Sequence, residues 1–461
     1  MTGLVLLELP SGPPLVDLAA ALPAERFPVL FDGGPDPSPL ARWDLLSFDP
    51  VATLLLRGSD TPLDDPRERA LGQVESLLAR VFGPPEGRGE SPDAEGGLPP
   101  FAGGVSLALA YDLGRETERL PCLRPRDADL PDLVAAAQPW VLAQERSSGR
   151  RLVLGRGTLD EARAFRQAVR DLERRATRAP ARLSRPSGVR SSFDRPAYER
   201  AVEAVRQQVL EGEVYQVNLA QRFELDWDGA PADLARVLRR SSPAPFGGFM
   251  AWPGAALVSS SPELFLRRRG EQVQSRPIKG TRPRGVDAVD DARLRAELLS
   301  SPKELAELSM IVDLVRNDLG RSASLGSVAV EQPFGTDAWS TVFHRVATVT
   351  ARVPRELPTT TLVERAFPPA SVTGTPKLSA LALIERLEPV RRHLYTGAMG
   401  WIDASGDCDL AVAIRVASVL PGRVLLPVGG GITLLSDPAD EYEETLDKAA
   451  GAFAAWGLER F

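Results

Sequence analysis

The feature that most constrains this chain is a run of short strand candidates after residue 190, joined by turns too short for a crossover helix. VYQVNLAQRFEL, GFMAWPG, AALVSSSPELFLRRR and EQVQSRPIKG come first, and GAMGWIDASG, DLAVAIRVASVL and RVLLPVGGGITL follow later. Parallel neighbours need a connection of a dozen or more residues, whereas tight turns join antiparallel ones. The chain therefore reads as α+β, with antiparallel sheets covered by helices. Apolar spacing predicts helices over Asp64 to Phe82, through Leu71, Val74, Leu78 and Val81, and over Asp160 to Ala176. Asp194 can cap a further helix that has Pro196 in its first turn and Tyr198, Val202, Val205 and Val209 on one stripe, with Gly212 as its stop. Helices are also expected over Lys303 to Leu319, ended by Gly320, and from about Pro438.

Two stretches rich in Pro, Gly and Ser, Gly83 to Pro100 and Ala176 to Ser192, read as connections. The second divides the chain into an N-terminal mixed α/β region, 1–185, and a second region, 190–461. With 461 residues, 43% of them hydrophobic, the chain can bury a large core. A net charge of −7 gives no basic footprint for a phosphate backbone, so no nucleic-acid partner is expected. Cys122 and Cys408 are too few for a disulfide framework or a CxxC metal site, and His344 and His393 too few for a multi-histidine centre. The start MTGLVLLELPSGPP lacks a charged leader, and no apolar run reaches membrane-spanning length. We expect a cytoplasmic protein with no membrane partner.

Chemistry concentrates in SSSPELFLRRRGEQVQSRPIKGTRPRG. A hairpin turning at Gly270 brings Glu263 beside Ile278 and Lys279. Arg276, Arg282 and Arg284 flank Lys279, and nearby cations with desolvation favour the free amine a nucleophile needs, while burial keeps Glu263 protonated. A cross-strand salt bridge on a solvated face is the plain alternative. Pro277 and Gly280 argue for a strand broken around the lysine.

Two acidic helices give a second signal. Glu307 shares one with Asp313 and Asn317, and Glu441, Glu444 and Lys448 line one face of the other. Carboxylates from two helices suit Mg²⁺, and an exposed Glu444–Lys448 pair is the alternative. VGGGITL and SVTGTPK place glycine next to strands, where backbone N–H groups can hold a carboxylate or simply turn the chain.

Together GEVYQVNLAQRF, SSSPELF, PIKGTRPRG, MIVDLVRNDLGR, SVTGTPK, YTGAMGWID, AIRVAS, GGGI and EYEETLDKA resemble the chorismate-utilising family, which includes anthranilate synthase component I, aminodeoxychorismate synthase component I and the isochorismate and salicylate synthases. Before residue 190 the resemblance is weaker and carried by PFAGGVSLALAYDLGRETERLP. It implies a sandwich core of antiparallel sheets, with 190–461 as the chorismate-binding catalytic region. Lys279 is similar to the aminodeoxychorismate synthases, whose motif is PIKGT where anthranilate synthases carry Ala. Gln216 stands where water-adding members have a lysine base. The resemblance implies that Lys279 attacks C2 of chorismate while Glu263 protonates the departing C4 hydroxyl, and that ammonia then enters at C4. It implies Mg²⁺ on Glu307 and Glu444, with Glu441 beside them, and substrate contacts from Gln216, Thr281, His344, Thr373, Tyr395, Arg415, Gly429, Gly430 and Lys448. Neither cysteine lies in a glutaminase-like setting, so a separate glutamine amidotransferase subunit is the implied ammonia source. An anthranilate synthase subunit or a non-catalytic chorismate-binding protein are the rival readings. The departures are Pro369-Ala370 in place of two glycines, Thr375 in place of Ala, and Leu30, Phe31, Asp32 and Gly33 where relatives have Leu-Leu-Glu-Ser.

Overall fold

All strand ladders among the described residues are antiparallel, as the short turns require. The structure is a computed structural model that describes residues 3–34, 38, 40–84, 97–176, 183–340 and 342–459. Residues 85–96 and 177–182, the centres of the two expected connections, lie outside the described residues. Among the described residues one sheet has twelve strands and the other ten. Both draw on each side of the 185–190 boundary. Val29–Asp32 pairs with Phe246–Trp252 in the first sheet, and Gly104–Leu109 pairs with Ala398–Asp403 in the second.

The sheets pack face to face. Met250, Leu257 and Leu425 of the first meet Ala108, Val134 and Met399 of the second in one buried cluster. Helices cover the outer faces: Tyr198, Val202, Leu234 and Phe453 lie against Phe223 and Leu225 on one side, and Val74, Leu78, Ile311 and Val315 lie with Leu109, Leu133 and Val349 on the other. Helix, sheet, sheet and helix make four layers, the sandwich expected. No helix among the described residues is long and apolar enough to cross a membrane.

Local signals act where expected. Asp194 accepts from Ala197 N–H at 2.7 Å and caps the helix Arg195–Leu210, with Gly212 at φ +81° just beyond. Pro302–Gly320 starts from Ser301 and runs through Gly320, one residue past its expected stop. The expected helix over Asp64 to Phe82 begins only at Ala70, because residues 64–69 form turns. Pro231–Ser241, Ala288–Ser300, Thr359–Ala366 and Lys377–Leu387 are helices that the sequence reading did not mark.

The Gly270 hairpin follows the mirror register through Arg269↔Gln272, Arg268↔Val273 and Arg267↔Gln274, then slips before Leu264↔Arg276. Pro277 splits the expected EQVQSRPIKG strand into Gln272–Arg276 and Ile278–Pro283. The second piece is an edge of the ten-stranded sheet, and it pairs with Val342–Arg352 at Ile278↔Val346 and again only at Thr281↔His344. Lys279 and Gly280 occupy the irregularity between, with Gly280 at φ +88°. Such a bulge re-aims a side chain out of the ladder.

Candidate active site

Lys279 leaves the bulge toward strands Gln216–Asp226 and Arg423–Ile432 of the other sheet. A methyl group added to Gly431 would lie 2.3 Å from Gln216 Nε2 and 3.1 Å from Lys279 Nζ, so the missing side chain is what lets these groups meet. The Oε1 atom of Gln216 is buried without a hydrogen-bond partner. Glu263 is also buried, with the Ser371 hydroxyl and the Ile278 N–H directed at its carboxyl and the charge of Lys279 close by. Burial pushes its pKa up to about 7, against these three opposing influences. It thus titrates around neutral pH, well above the ordinary carboxylate range.

The cationic surroundings expected for Lys279 are not what the fold provides. Arg276 pairs with Asp337, Arg282 with Glu297 and Glu304, and Arg284 with Asp291. The charges that act on the lysine are instead the carboxylates of Glu263, Glu307 and Glu444. The arginines are sequence neighbours, but strand alternation and the bulge turn them toward the carboxylates of Ala288–Ser300, Pro302–Gly320 and Ala329–Ala338.

Helices Pro302–Gly320 and Pro438–Ala455 bring Glu307, Glu441 and Glu444 to the same cleft. Burial raises the pKa of Glu307, opposed by Lys279 and Lys303 and aided by Glu444 and Glu304. Burial acts the same way on Glu444, but Lys448, Lys279 and Lys303 together outweigh it and leave a lowered value. Glu441 is raised by burial; its Oε1 accepts from Ser436 at 2.6 Å, while Oε2 is buried without a partner. A methyl on Gly430 would lie 3.1 Å from Glu441 Oε2 and 3.5 Å from Glu444 Oε1, so both carboxylates border that glycine. The three glutamates do not close to within 4.8 Å of one another as a set. Their oxygen donors and the unanswered Glu441 Oε2 fit a hard cation that keeps waters and completes its shell with a ligand. Lys448 bonds Glu444 Oε1 at 2.6 Å and the Gly429 carbonyl at 2.7 Å, so the i,i+4 pair given as the alternative to a metal site is present.

Of the remaining candidates, Arg415, His344, Tyr395 and Thr373 are buried side chains. Arg415 has φ +51°, and its guanidinium has no hydrogen-bond or ion-pair partner among the described residues. Burial lowers its pKa, yet it stays charged. Nearby His344 is pushed down to about 3 by burial and then by Arg415, so its ring is neutral; its Nδ1 lies 2.9 Å from Thr281 Oγ1. Tyr395 is buried beside the Asn218 amide, and burial raises its hydroxyl's pKa. Thr373 spends its hydroxyl proton within its own turn, on the carbonyls of Ala370 and Pro369 at 3.1 and 3.3 Å.

A family model described as chorismate binding enzyme matches residues 29–454. The chain belongs to that family. Over 438 residues it is 36% identical to aminodeoxychorismate synthase component 1 of Salmonella typhimurium, covering 92% of each chain. It is also 36% identical to anthranilate synthase component 1 of Thermus thermophilus, across 90% of this chain and 89% of that one. Among solved structures it is similar to anthranilate synthase component I of Streptococcus pneumoniae, with TM-score 0.75, 26% identity, and 91% and 93% of the two chains covered. It is a chorismate-utilising enzyme with the fold of its family.

Within this family member the cleft contains residues the sequence reading passed over. Alternation along Arg423–Ile432 sets Gly431 on the opposite face from Gly430, toward Lys279 rather than toward Glu441 and Glu444. Ser371 and Asn218 sat inside quoted motifs, but their partners Glu263 and Tyr395 are more than a hundred residues away in sequence. Lys303, 3.8 Å from Glu441, sits in the first turn of Pro302–Gly320.

Proposed function

We propose that the chain is an aminodeoxychorismate synthase component 1, which replaces the C4 hydroxyl of chorismate with an amine. The observation that carries the reading is an amine and a protonated carboxyl in one cleft: Lys279 in its bulge, with Glu263 held to about pKa 7 beside it. Lys279 Nζ adds to C2, the ring's double bonds shift, and the C4–O bond breaks as Glu263 passes its proton to the departing hydroxyl, which leaves as water. Ammonia then adds at C4, the double bonds return, the C2–N bond breaks, and the surplus proton goes back to Glu263. Splitting one hard substitution into two allylic steps is what a covalent nucleophile accomplishes.

Arg415, with no partner among the described residues, supplies a fork for one substrate carboxylate, and neutral His344 and Tyr395 bound the ring. Mg²⁺ would be held by Glu307 and Glu444 with Glu441 adjacent, and when bound it would supply positive charge to the other carboxylate. Ammonia would come from a separate glutamine amidotransferase subunit. Burial pushes the Cys408 thiol up to about 12, and the exposed Cys122 has the Arg391 guanidinium at 3.1 Å, which cannot accept a proton, so neither cysteine shows a general base among the described residues.

The test is mass spectrometry of the product from the purified chain, Mg²⁺ and chorismate with either ammonium or glutamine. We expect aminodeoxychorismate from ammonium and none from glutamine. Anthranilate with release of pyruvate would overturn the reading in favour of the other branch of similar relatives.

A further inference from the structure

We propose that Asp112, Asp132 and His393 form a second, fully buried site for a divalent cation of the zinc type, separate from the cleft carboxylates. One ligand atom from each of the three lies within 4.8 Å of the others. Four-coordinate zinc with nitrogen and oxygen ligands sets those atoms roughly 3.4 Å apart, so small side-chain rotations close the set. All three residues are buried, with His393 3% and Asp132 1% exposed.

The protein leaves the centre unanswered. His393 Nδ1 and Asp132 Oδ1 are buried atoms with no hydrogen-bond partner. Asp132 commits its other oxygen, Oδ2, to Arg126 and to the Gly58 N–H at 2.8 Å. Asp112 Oδ2 takes the His393 backbone N–H at 3.1 Å, and its Oδ1 is 3.5 Å from Arg115. Both Asp112 oxygens thus have partners, and Arg391 acts on that carboxylate as well, so the unanswered oxygen is Asp132 Oδ1 alone. On the far side of the ring, His393 Nε2 lies 2.8 Å from Asp127 Oδ1. A carboxylate that takes one imidazole N–H fixes the tautomer and leaves the other nitrogen as a lone pair, the arrangement usual behind metal-ligating histidines. Two unpartnered acceptors, His393 Nδ1 and Asp132 Oδ1, with the Asp112 carboxylate in the same buried group, offer a cation the ligand types zinc takes.

His393 has φ +50° and its carbonyl accepts from Tyr111 N–H at 2.8 Å, two residues before Tyr395. An ion here would tie the Tyr111–Glu116 segment to the turn that presents Tyr395, giving a structural centre below the cleft.

The experiment strips the full chain with a chelator, adds one equivalent of zinc, desalts it, and reads zinc by mass spectrometry and Tm by scanning fluorimetry. We expect about one zinc per chain and a raised Tm. His393→Asn keeps a residue that tolerates positive φ but removes the imidazole, and should cut retention at least ten-fold, as should Asp132→Asn. Glu307→Ala should retain the ion. No retained zinc in the wild-type chain would overturn the proposal, as would zinc lost from Glu307→Ala but kept by both His393→Asn and Asp132→Asn.

Discussion

Two buried polar regions lie a few residues apart and are built on opposite rules. In the knot behind strand Gln216–Asp226, Glu388 accepts from Arg392 at 2.9 and 2.5 Å and from Ala220 N–H at 2.8 Å. Arg392 gives its remaining hydrogens to the carbonyls of Asn218 and Val372 and to Thr396 Oγ1, and stacks over Tyr111. On the cleft side, Gln216 Oε1 and Glu441 Oε2 are unanswered, Arg415 has no partner among the described residues, and like charges face each other. A buried polar group without a partner costs about 1–3 kcal/mol, so a fold tolerates several together only where something else completes them. The knot serves stability. On the proposed function, the open groups of the cleft await a ligand.

The largest effect should come from the cleft. Lys279→Ala should lose roughly 10⁴-fold in ammonia-dependent turnover while Tm stays within a few degrees, measured with saturating ammonium. Wild-type turnover in this variant would remove the nucleophile role. Next comes the knot. Glu388→Ala leaves the Arg392 charge buried and unpaired, and should cost about 3–5 kcal/mol in urea unfolding. A cost below about 1 kcal/mol would erase the contrast between the regions.

Glu263→Gln should lose at least roughly 10²-fold in kcat, with KM less affected. In the wild type, kcat should fall as pH rises through about 7, where Glu263 gives up its proton, and this limb should vanish in the variant. The stability sign is the same. The native state keeps a proton up to about 7 that the unfolded chain releases near 4.5, so this group's contribution declines as pH rises across that window, by up to about 3 kcal/mol. The Tm–pH curves of wild type and Glu263→Gln should therefore diverge between those values. The smallest effect sharpens the comparison: Glu441→Gln relieves repulsion with Glu444 and should change stability by less than about 1 kcal/mol, while raising the Mg²⁺ concentration needed for activity. Marked destabilisation would place Glu441 with the knot rather than the cleft.

Much of this was legible because the deciding signals are local. The cap at Asp194, the Gly270 turn and the break at Pro277 each follow from the conformational limits of a few adjacent residues. The helix Lys377–Leu387 gave less to read, since Pro376 precedes it and no side chain caps it. The partners of Arg276, Arg282 and Arg284 were hidden for another reason. Which carboxylate an arginine meets depends on elements 7 to 61 residues away, and residue type does not encode that distance.

By itself the sequence determined the antiparallel α+β design, the family and the residue types offered to a substrate, because turn length, strand alternation and ordered motifs are properties of short segments. Tertiary structure alone decided which of those residues share a cavity. Strands from either side of residue 190 complete both sheets, and Gly431, Gln216 and Lys279 come together only when an edge of one sheet closes on the other. Whether a buried charge is answered, as at Glu388, or left open, as at Glu441, is likewise set by packing, since burial and partner geometry exist only in the folded chain.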